Sequence, residues 1–213
     1  MGRSDPHLFP LYRALVPRAS PIALLGFASA RAFDDPKIEA LVPDLFDISF
    51  SEHDSRHWNI NGEWPLVERY ESIVCTRCPY FARDPLEFFR NAHSSLAPGG
   101  KLFVDFGLGD HWRFVDYKVG WIKGGEHEWA YRADNFLWSC MWDESFLRDP
   151  QVQLFADRIK KFGYDDLDAA VKREVPSLVT PNELTEMFDL DVSFLALWED
   201  APQLYIIVSG TAR

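Results

Sequence analysis

The fold is decided by three consecutive stretches: RYESIVC at residues 69–75, DPLEFFR at residues 84–90 and LAPGGKLFV at residues 96–104. The first ends in an apolar run, as a strand buried on both faces does. The second opens on Asp-Pro-x-Glu, which supplies a helix N-cap, a proline at the first helical position and a capping-box acid. The third stops that helix at Pro-Gly-Gly and begins another apolar strand. Strand, helix and strand with short turns predict a βαβ unit, hence a parallel sheet with a right-handed crossover.

Upstream of this unit, the pattern predicts two more strands. Ile22–Leu25 is wholly apolar and ends at Gly26, which is typical of a strand buried on both faces of a parallel sheet. The dipeptide at 35–36 (Asp-Pro) starts a helix that can run only to about Val42, because a proline follows. A second short strand is predicted from Leu45, with Asp47 near its end.

Downstream, residues 107–149 lose periodicity and are rich in Trp, Tyr and Phe, so they are interpreted as an aromatic-rich insertion after a strand. Residues 152–162 have a helical pattern, and residues 180–183 form a capping box that opens another helix. Two closing strands at 192–197 and 205–208 flank a short loop containing proline. They predict a hairpin, and therefore one antiparallel strand in an otherwise parallel sheet.

Length and charge narrow the class of protein. The 213 residues have a mass of 24.6 kDa, which predicts a single domain over residues 1–213. Residues 1–20 hold three prolines among apolar residues and are predicted to form an N-terminal arm, irregular or a short helix, that packs on the domain. The net charge is −11, with 33 acidic and 22 basic residues. With this excess of acidic residues, a nucleic-acid or anionic-membrane partner is not expected, and a small-molecule substrate is favoured. No apolar run approaches the ~18 residues of a membrane span.

One stretch imitates a secretory signal. Arg13 and Arg18 precede a short apolar run at 21–27, and a small-x-small sequence follows at 28–30. The run is short and contains both proline and glycine, and Asp5 lies ahead of it. We therefore expect a cytoplasmic protein.

The cysteines and histidines leave two interpretations. Cys75 and Cys78 form a C-x-x-C pair, and His53 and His57 are spaced as H-x-x-x-H, so the four could supply zinc ligands. The histidines precede the cysteines, however, and Cys75 ends a buried strand. A cysteine of the core or of a pocket wall is the favoured interpretation, and no metal site is predicted.

The stretches from residue 69 to residue 104 resemble, in order and spacing, the fourth strand, following helix and fifth strand of the class I S-adenosylmethionine-dependent methyltransferases. The closing hairpin is similar to that family's sixth and seventh strands. The resemblance implies a Rossmann-like α/β fold. Its sheet would have seven mostly parallel strands with one antiparallel C-terminal strand, and helices would cover both faces.

The resemblance also implies a site for S-adenosylmethionine at the carboxyl ends of the strands. In that family, the loop after the first strand approaches the methionine moiety and the acid ending the second strand binds the ribose hydroxyls. A residue further along meets the adenine. The matching cofactor-binding residues in this chain are Gly26, Phe27, Ala28, Asp47, Ile48, Asn61, Gly62 and Cys75.

Residues near the ends of the fourth and fifth predicted strands are candidates for the acceptor side. Arg77 follows the fourth strand and is predicted to bind substrate as a clamp for an anionic group. His111 follows the fifth strand and is the candidate catalytic base. Trp112 and Tyr117 begin the aromatic stretch and are predicted to bind substrate. The alternative is that this stretch packs as an appendage or forms a homodimer face.

Three functions are open on these residues. The favoured one is methyl transfer from S-adenosylmethionine to a small-molecule acceptor. The alternative is a methyltransferase-like binding or assembly module without activity, because Leu24, Ala28 and Ala30 stand where the family has an acid and two glycines. The third is another nucleotide-binding Rossmann-like enzyme, which the absence of G-x-G-x-x-G disfavours.

Overall fold

The computed structural model describes residues 5–33, 35–66, 69–76, 78, 79, 82, 84–110, 150, 151, 153, 154, 182–197 and 203–213. Its helices are α1 (Asp5–Leu15), α2 (Pro36–Glu39), α3 (Pro85–Ser95) and α4 (Asn182–Met187), with a 3₁₀ turn at Ala30–Phe33. Its strands are β1 (Ile22–Leu25), β2 (Asp44–Phe46), β3 (Tyr70–Cys75), β4 (Leu96–Asp110), β5 (Phe188–Leu197) and β6 (Gln203–Ala212). Within these ranges, no helix is long and apolar enough to cross a membrane.

The strands form one sheet in the order β2-β1-β3-β4-β6-β5. Strand β1 pairs in parallel with β2 and β3, and β3 pairs in parallel with β4. Only β6 runs the other way, antiparallel to both β4 and β5. The predicted Rossmann-like α/β fold, the parallel βαβ unit and the closing hairpin are therefore confirmed.

The predicted count of seven strands is wrong for the described part of the chain, which holds six. Residues 47–66 form turns between β2 and β3, apart from one isolated bridge between Asp47 and His57. The physical reason is local hydrogen bonding, which competes with a strand ladder. The side chains of four residues each accept a hydrogen bond from the backbone N–H two residues further on: Asp47, Ser51, Asp54 and Asn59.

One side of the sheet, the α1 face, is covered by the N-terminal helix. The predicted arm is a helix because its apolar residues fall at helical spacing. Leu8, Phe9 and Tyr12 of α1 are buried in one cluster with Leu24, Val74, Phe103 and Ile207 of the strands. Residues i and i+2 of a strand share a face, so Ser72 and Asp105 lie on this face too. The α1 face thus combines an apolar core with buried polar groups.

The opposite side, the α3 face, is apolar and aromatic. The ring of Phe89 in α3 lies 5.5 Å from that of Phe88 and 6.3 Å from that of Phe188 in β5, both with T-shaped geometry. Leu184 of α4 is also fully buried. Burial of these side chains, each stabilising by roughly 1.5–3 kcal/mol relative to exposure, holds α3 and α4 against the sheet.

The predicted starts of α2 and α3 are confirmed by their N-caps. The carboxylate of Asp84 accepts a hydrogen bond from the N–H of Glu87 at 3.0 Å, and that of Asp35 accepts one from the N–H of Lys37 at 2.9 Å. Helix α2 ends at Glu39, before the limit at Val42 that the sequence predicts, and Val42 has a φ of 51°. The proline after Val42 disfavours helical backbone at that residue.

The predicted helix at 152–162 and the predicted insertion at 107–149 fall only partly within the described residues. Residues 150, 151, 153 and 154 are helical, and the rest of the predicted helix at 152–162 lies outside the described residues. Residues 107–110 of the predicted insertion belong to β4, and residues 111–149 also lie outside.

Candidate functional site

The strand order singles out one edge of the sheet. Strand β1 is followed along the chain by its neighbour β2 on one side and by β3 on the other. The direction of winding therefore reverses between β1 and β3. In open parallel α/β sheets, ligands bind outside the carboxyl ends of the strands at such a switch point. The residues that follow β1, β2, β3 and β4 are accordingly the candidates for a site.

The chain leaves β1 through a tight turn at Gly26. Its φ is +81°, a left-handed conformation that favours glycine. The N–H groups of Gly26 and Phe27 both donate to the carbonyl oxygen of Phe46, at 2.7 and 3.3 Å. A side chain at Gly26 would collide with the Sγ of Cys78, so that thiol fills the space over the glycine. The turn is thus fixed by β2 on one side and by the segment after β3 on the other.

The two residues after Gly26 have different environments. Phe27 is buried, and its ring centroid lies 5.7 Å from that of Phe9 in α1. Ala28 is exposed. The ring of Phe27 belongs to the core, so this loop has its backbone and the small side chain of Ala28 to offer a ligand.

Strand β2 ends at an acid next to an exposed apolar side chain. Asp47 is half-buried, and its Oδ1 accepts a hydrogen bond from the N–H of Ser49 at 2.8 Å. Its backbone N–H donates to the carbonyl of Arg56, and its carbonyl accepts from the N–H of Trp58. Ile48 is 62% exposed. Asp47 and Ile48 present a carboxylate and an apolar surface side by side.

Asn61 and Gly62 lie in an exposed turn further along the same segment. Their N–H groups donate to the side-chain and main-chain oxygens of Asn59, at 3.0 and 2.8 Å. The turn is held to the body of the protein by aromatic residues. The ring of Trp64 lies 6.2 Å from that of Trp58, and its Nε1 donates to the Oγ of Ser95 at 2.7 Å.

Two thiols and a hydroxyl mark the end of β3. Cys75 is fully buried, and its side chain is hydrogen-bonded to that of Cys78, which is half-buried. Burial raises the pKa of the Cys75 thiol well above its ordinary value, and the adjacent Cys78 thiol and the Asp105 carboxylate raise it further. The Oγ1 of Thr76 is buried without a hydrogen-bond partner among the described residues. Such a group in a native structure calls for an explanation, such as a ligand or an ordered water.

A buried carboxylate on β4 completes this edge. Asp105 is fully buried, and the hydroxyl of Tyr12 in α1 donates to its Oδ2 at 2.7 Å. Cys75 pairs with Val104, so Thr76 and Asp105, one residue further along parallel strands, are neighbours on the α1 face. Sequence reasoning selected neither Asp105 nor Tyr12. An acid inside an apolar strand is the available signal, because such an acid needs a buried donor.

Six of the predicted cofactor-binding residues lie at the carboxyl edge of the sheet. Gly26, Phe27 and Ala28 follow β1, Asp47 and Ile48 follow β2, and Cys75 ends β3, all at the carboxyl edge of the sheet, while Asn61 and Gly62 lie in the β2–β3 segment. The predicted substrate residues Arg77, Trp112 and Tyr117 and the predicted base His111 lie outside the described residues. In the described part of the chain, no three His, Cys, Asp or Glu side chains cluster as metal ligands would.

Comparisons with known proteins find similarity in structure only. No family model and no curated protein matches the sequence. Among solved structures, the chain is similar to a possible histamine N-methyltransferase from Thermotoga maritima, with 12% identity, coverage of 98% of this chain and 89% of that one, and a TM-score of 0.42. It is also similar to the N-methyltransferase NodS from Bradyrhizobium japonicum, with 12% identity, 98% coverage of both chains and a TM-score of 0.43. Human N-acetylserotonin methyltransferase is 13% identical, with coverage of 98% and 54% and a TM-score of 0.40.

These three proteins are methyltransferases. The Rossmann-like α/β fold of this chain is shown by its own strand order and by β6, which runs antiparallel to its neighbours in the described sheet.

Proposed function

We propose that this protein transfers a methyl group from S-adenosylmethionine to a small-molecule acceptor. The observation that carries the proposal is the arrangement at the switch point. A left-handed glycine turn follows β1, and a half-exposed acid follows the adjacent strand β2 at the same edge. Gly26 and Asp47 are the two positions at which the methyltransferase resemblance and the site position expected from sheet topology agree.

The nucleoside half of the cofactor fits the residues after β2. A carboxylate oxygen of Asp47 would accept hydrogen bonds from the ribose hydroxyls. The neighbouring Ile48, 62% exposed, would cover one face of the adenine. Ligand sites combine apolar surface with a few polar anchoring groups, and Ile48 and Asp47 would supply these here. Asn61 and Gly62 would form the far border at the adenine edge.

The space that would receive the amino-acid half of the cofactor, beside the turn after β1, is partly occupied. The backbone at Gly26 and Ala28 would approach it, but the Cys78 thiol already fills the space over Gly26. This thiol is the end of a side chain, and it would have to rotate away from Gly26 before a ligand could approach the turn. The buried hydroxyl of Thr76, without a partner in the described part of the chain, would gain one from a polar group of the ligand.

The bound cofactor would supply an electrophilic methyl group, and the chain's own residues would position the acceptor. Transfer to a well-placed nucleophile depends mainly on orientation and exclusion of water. Tyr12 and Asp105 are buried and hydrogen-bonded next to Thr76, so they would form a rigid wall of the acceptor side. Assignment of His111 as base, and of Arg77, Trp112 and Tyr117 to the acceptor, is part of the same proposal.

The cellular setting proposed with this function is a cytoplasmic one with a small-molecule partner. The net charge of −11 supports the absence of a nucleic-acid or membrane partner. A homodimer through the aromatic segment is the associated proposal for assembly.

The test is calorimetric titration of the protein with S-adenosylmethionine and S-adenosylhomocysteine, using Asp47→Asn as the decisive variant. An asparagine keeps the acceptor for the Ser49 N–H, so the local turn is preserved while the charge is lost. A hydrogen bond to a charged group contributes about 1.5–3 kcal/mol, so Kd should rise roughly 10-fold or more. Glu52→Gln, an exposed acid in the same segment, is the matched control and should leave Kd unchanged.

The alternative function is a binding or assembly module that has lost the cofactor. The observation that favours it is the Cys78 thiol over Gly26, together with Leu24, Ala28 and Ala30 in place of an acid and two glycines. Absence of heat and of thermal stabilisation at millimolar ligand would favour this alternative. Binding that emerges only after Ala28→Gly and Ala30→Gly would identify the loop as the cause.

A further inference from the structure

Cys75 and Cys78 form a buried and half-buried pair of thiols that the proposed transfer reaction does not use. Both are free, and their side chains are hydrogen-bonded. Cys75 is the last residue of β3 and is held in the ladder opposite Leu25 of β1. Cys78 follows in the segment after the strand. One sulfur therefore sits on a rigid element and the other on an irregular one.

The same pair adjoins the turn that follows β1. Leu25, the register partner of Cys75, is the residue immediately before Gly26. The Sγ of Cys78 lies where a side chain at Gly26 would be, so it packs directly on that turn. Any displacement of the Cys78 sulfur changes what the backbone of Gly26 contacts.

We propose that Cys75 and Cys78 are an oxidation site that a hydroperoxide converts into a reversible intramolecular disulfide, and that this bond draws Cys78 away from the Gly26 turn. The step balances with hydrogen peroxide as the oxidant. The Cys78 thiolate attacks one peroxide oxygen, the O–O bond breaks, and a sulfenic acid and water form. The Cys75 sulfur then attacks the Cys78 sulfur, the S–O bond breaks, and a second water leaves with the Cys75 proton. Two thiols are oxidised, and one peroxide is reduced to two waters.

Exposure sets the order of the two steps. Cys78 is half-buried and can meet a small oxidant, whereas Cys75 is completely enclosed. Burial also raises the pKa of Cys75, which disfavours the thiolate form that reacts with peroxide. Cys78 is therefore the attacking residue, and Cys75 is the resolving one.

The direction of the movement follows from the elements. Cys75 lies within a strand paired on both sides, with β1 and with β4, so it stays in place. A disulfide joins two sulfurs more closely than a hydrogen bond between thiols does. Cys78 must then move toward Cys75, and the space over Gly26 opens in the oxidised protein.

The experiment uses the full chain with Cys140→Ser, which removes the third cysteine as a competing partner. After treatment with equimolar hydrogen peroxide, the intact mass should fall by two hydrogen atoms, and peptide mapping should join residue 75 to residue 78. The backbone amide signal of Gly26 in a nitrogen-proton NMR spectrum should move by more than its linewidth. Dithiothreitol should restore both the mass and the signal.

Cys78→Ser in the same background is the control, and it should show neither the loss of mass nor the movement of the Gly26 signal. If Cys140→Ser fails to fold, peptide mapping of the unmodified chain gives the same information. Oxidation of Cys78 to higher acids without a bond to Cys75, or a disulfide that leaves the Gly26 signal in place, would overturn the proposal. None of these measurements involves the cofactor, so the outcome is independent of the proposed methyl transfer.

Discussion

The βαβ unit of β3, α3 and β4 and the β1–β2 region, residues 22–66, lie next to each other in one sheet but are built differently. The βαβ unit has an 11-residue helix and strands of 6 and 15 residues. In the β1–β2 region, the strands have 4 and 3 residues, and the helix between them has 4. The first is stabilised by regular elements and buried rings, the second by turns and side-chain caps.

Each region also contains one of the two glycines that have a positive φ in the described part of the chain, and these differ in the same way. At Gly99, which precedes the main part of β4, an added side chain would meet nothing within 4 Å. At Gly26, it would collide with the Cys78 thiol. One turn is shaped by its own sequence, and the other by a contact with a distant segment. The turn at the candidate site therefore depends on tertiary contacts in a way that the βαβ unit does not.

We expect the largest loss of unfolding free energy from a substitution in the core of the βαβ unit. Phe89→Ala removes a fully buried ring that packs on Phe88 and Phe188, and a Phe→Ala change in a core costs about 3–5 kcal/mol. Denaturant unfolding followed by circular dichroism measures the loss. Ser94→Ala, at an exposed position of α3, is the control and should change the free energy of unfolding by less than about 0.5 kcal/mol.

The second prediction compares the two glycine turns. Alanine at Gly99 should cost about 1–2 kcal/mol from left-handed backbone alone. Alanine at Gly26 should cost more, by roughly 1–3 kcal/mol of overpacking against Cys78. Adding Cys78→Ala to the Gly26 variant should reduce its cost to that of the Gly99 variant in the same unfolding assay. Equal costs for the two single variants would remove the distinction between the turns.

Helix α1 packs on strands of both regions, and its Tyr12 donates a hydrogen bond to Asp105 of β4. Tyr12→Phe leaves the buried Asp105 without this donor and should cost about 1–3 kcal/mol in unfolding free energy. Tyr70→Phe is the matched control. Tyr70 also donates to a carboxylate, at 2.8 Å, but that carboxylate belongs to the exposed Asp44. Water can replace the hydroxyl there, so the loss should be smaller.

The fold could be predicted from the sequence where local signals and tertiary structure agree. The proline and capping acid at the start of α3, the Pro-Gly-Gly at its end and the apolar runs of β3 and β4 all point to the same elements. The absence of a strand between β2 and β3, where the resemblance implies a third strand, could not be predicted from such signals. Residues 47–66 form turns because side chains such as those of Asp54 and Asn59 hydrogen-bond to nearby backbone, and no apolar periodicity signals a strand or its absence there.

The candidate site could be predicted only in part, because its geometry comes from contacts distant in sequence. Gly26 and Asp47 follow predicted strands, so their position at the sheet edge is accessible to sequence reasoning. The pairing of Tyr12 with Asp105 joins residues 93 positions apart. The contact of Cys78 with Gly26 likewise joins segments from different strands. Neither has a spacing that a pattern could reveal.

We expect the smallest effect on stability from substitutions at Arg56, which test whether the β2–β3 segment is stabilised only locally. Hydrogen bonds from the side chain and N–H of Arg56 lower the pKa of Asp54 from 3.8 to about 2. Because the folded pKa is the lower one, the stabilisation is present above pH 3.8 and is lost as pH falls through about 2. Arg56→Gln removes the side-chain bonds, so the Asp54 pKa, followed by NMR of its carboxyl carbon, should rise toward 3.8. Arg56→Lys keeps the charge without the bidentate geometry and should give an intermediate pKa. Since the pair is exposed, the pH midpoint of global acid unfolding should be the same in all three proteins. A shift of that midpoint in Arg56→Gln would mean that this turn is coupled to the core, and the β1–β2 region would then be as cooperative as the βαβ unit.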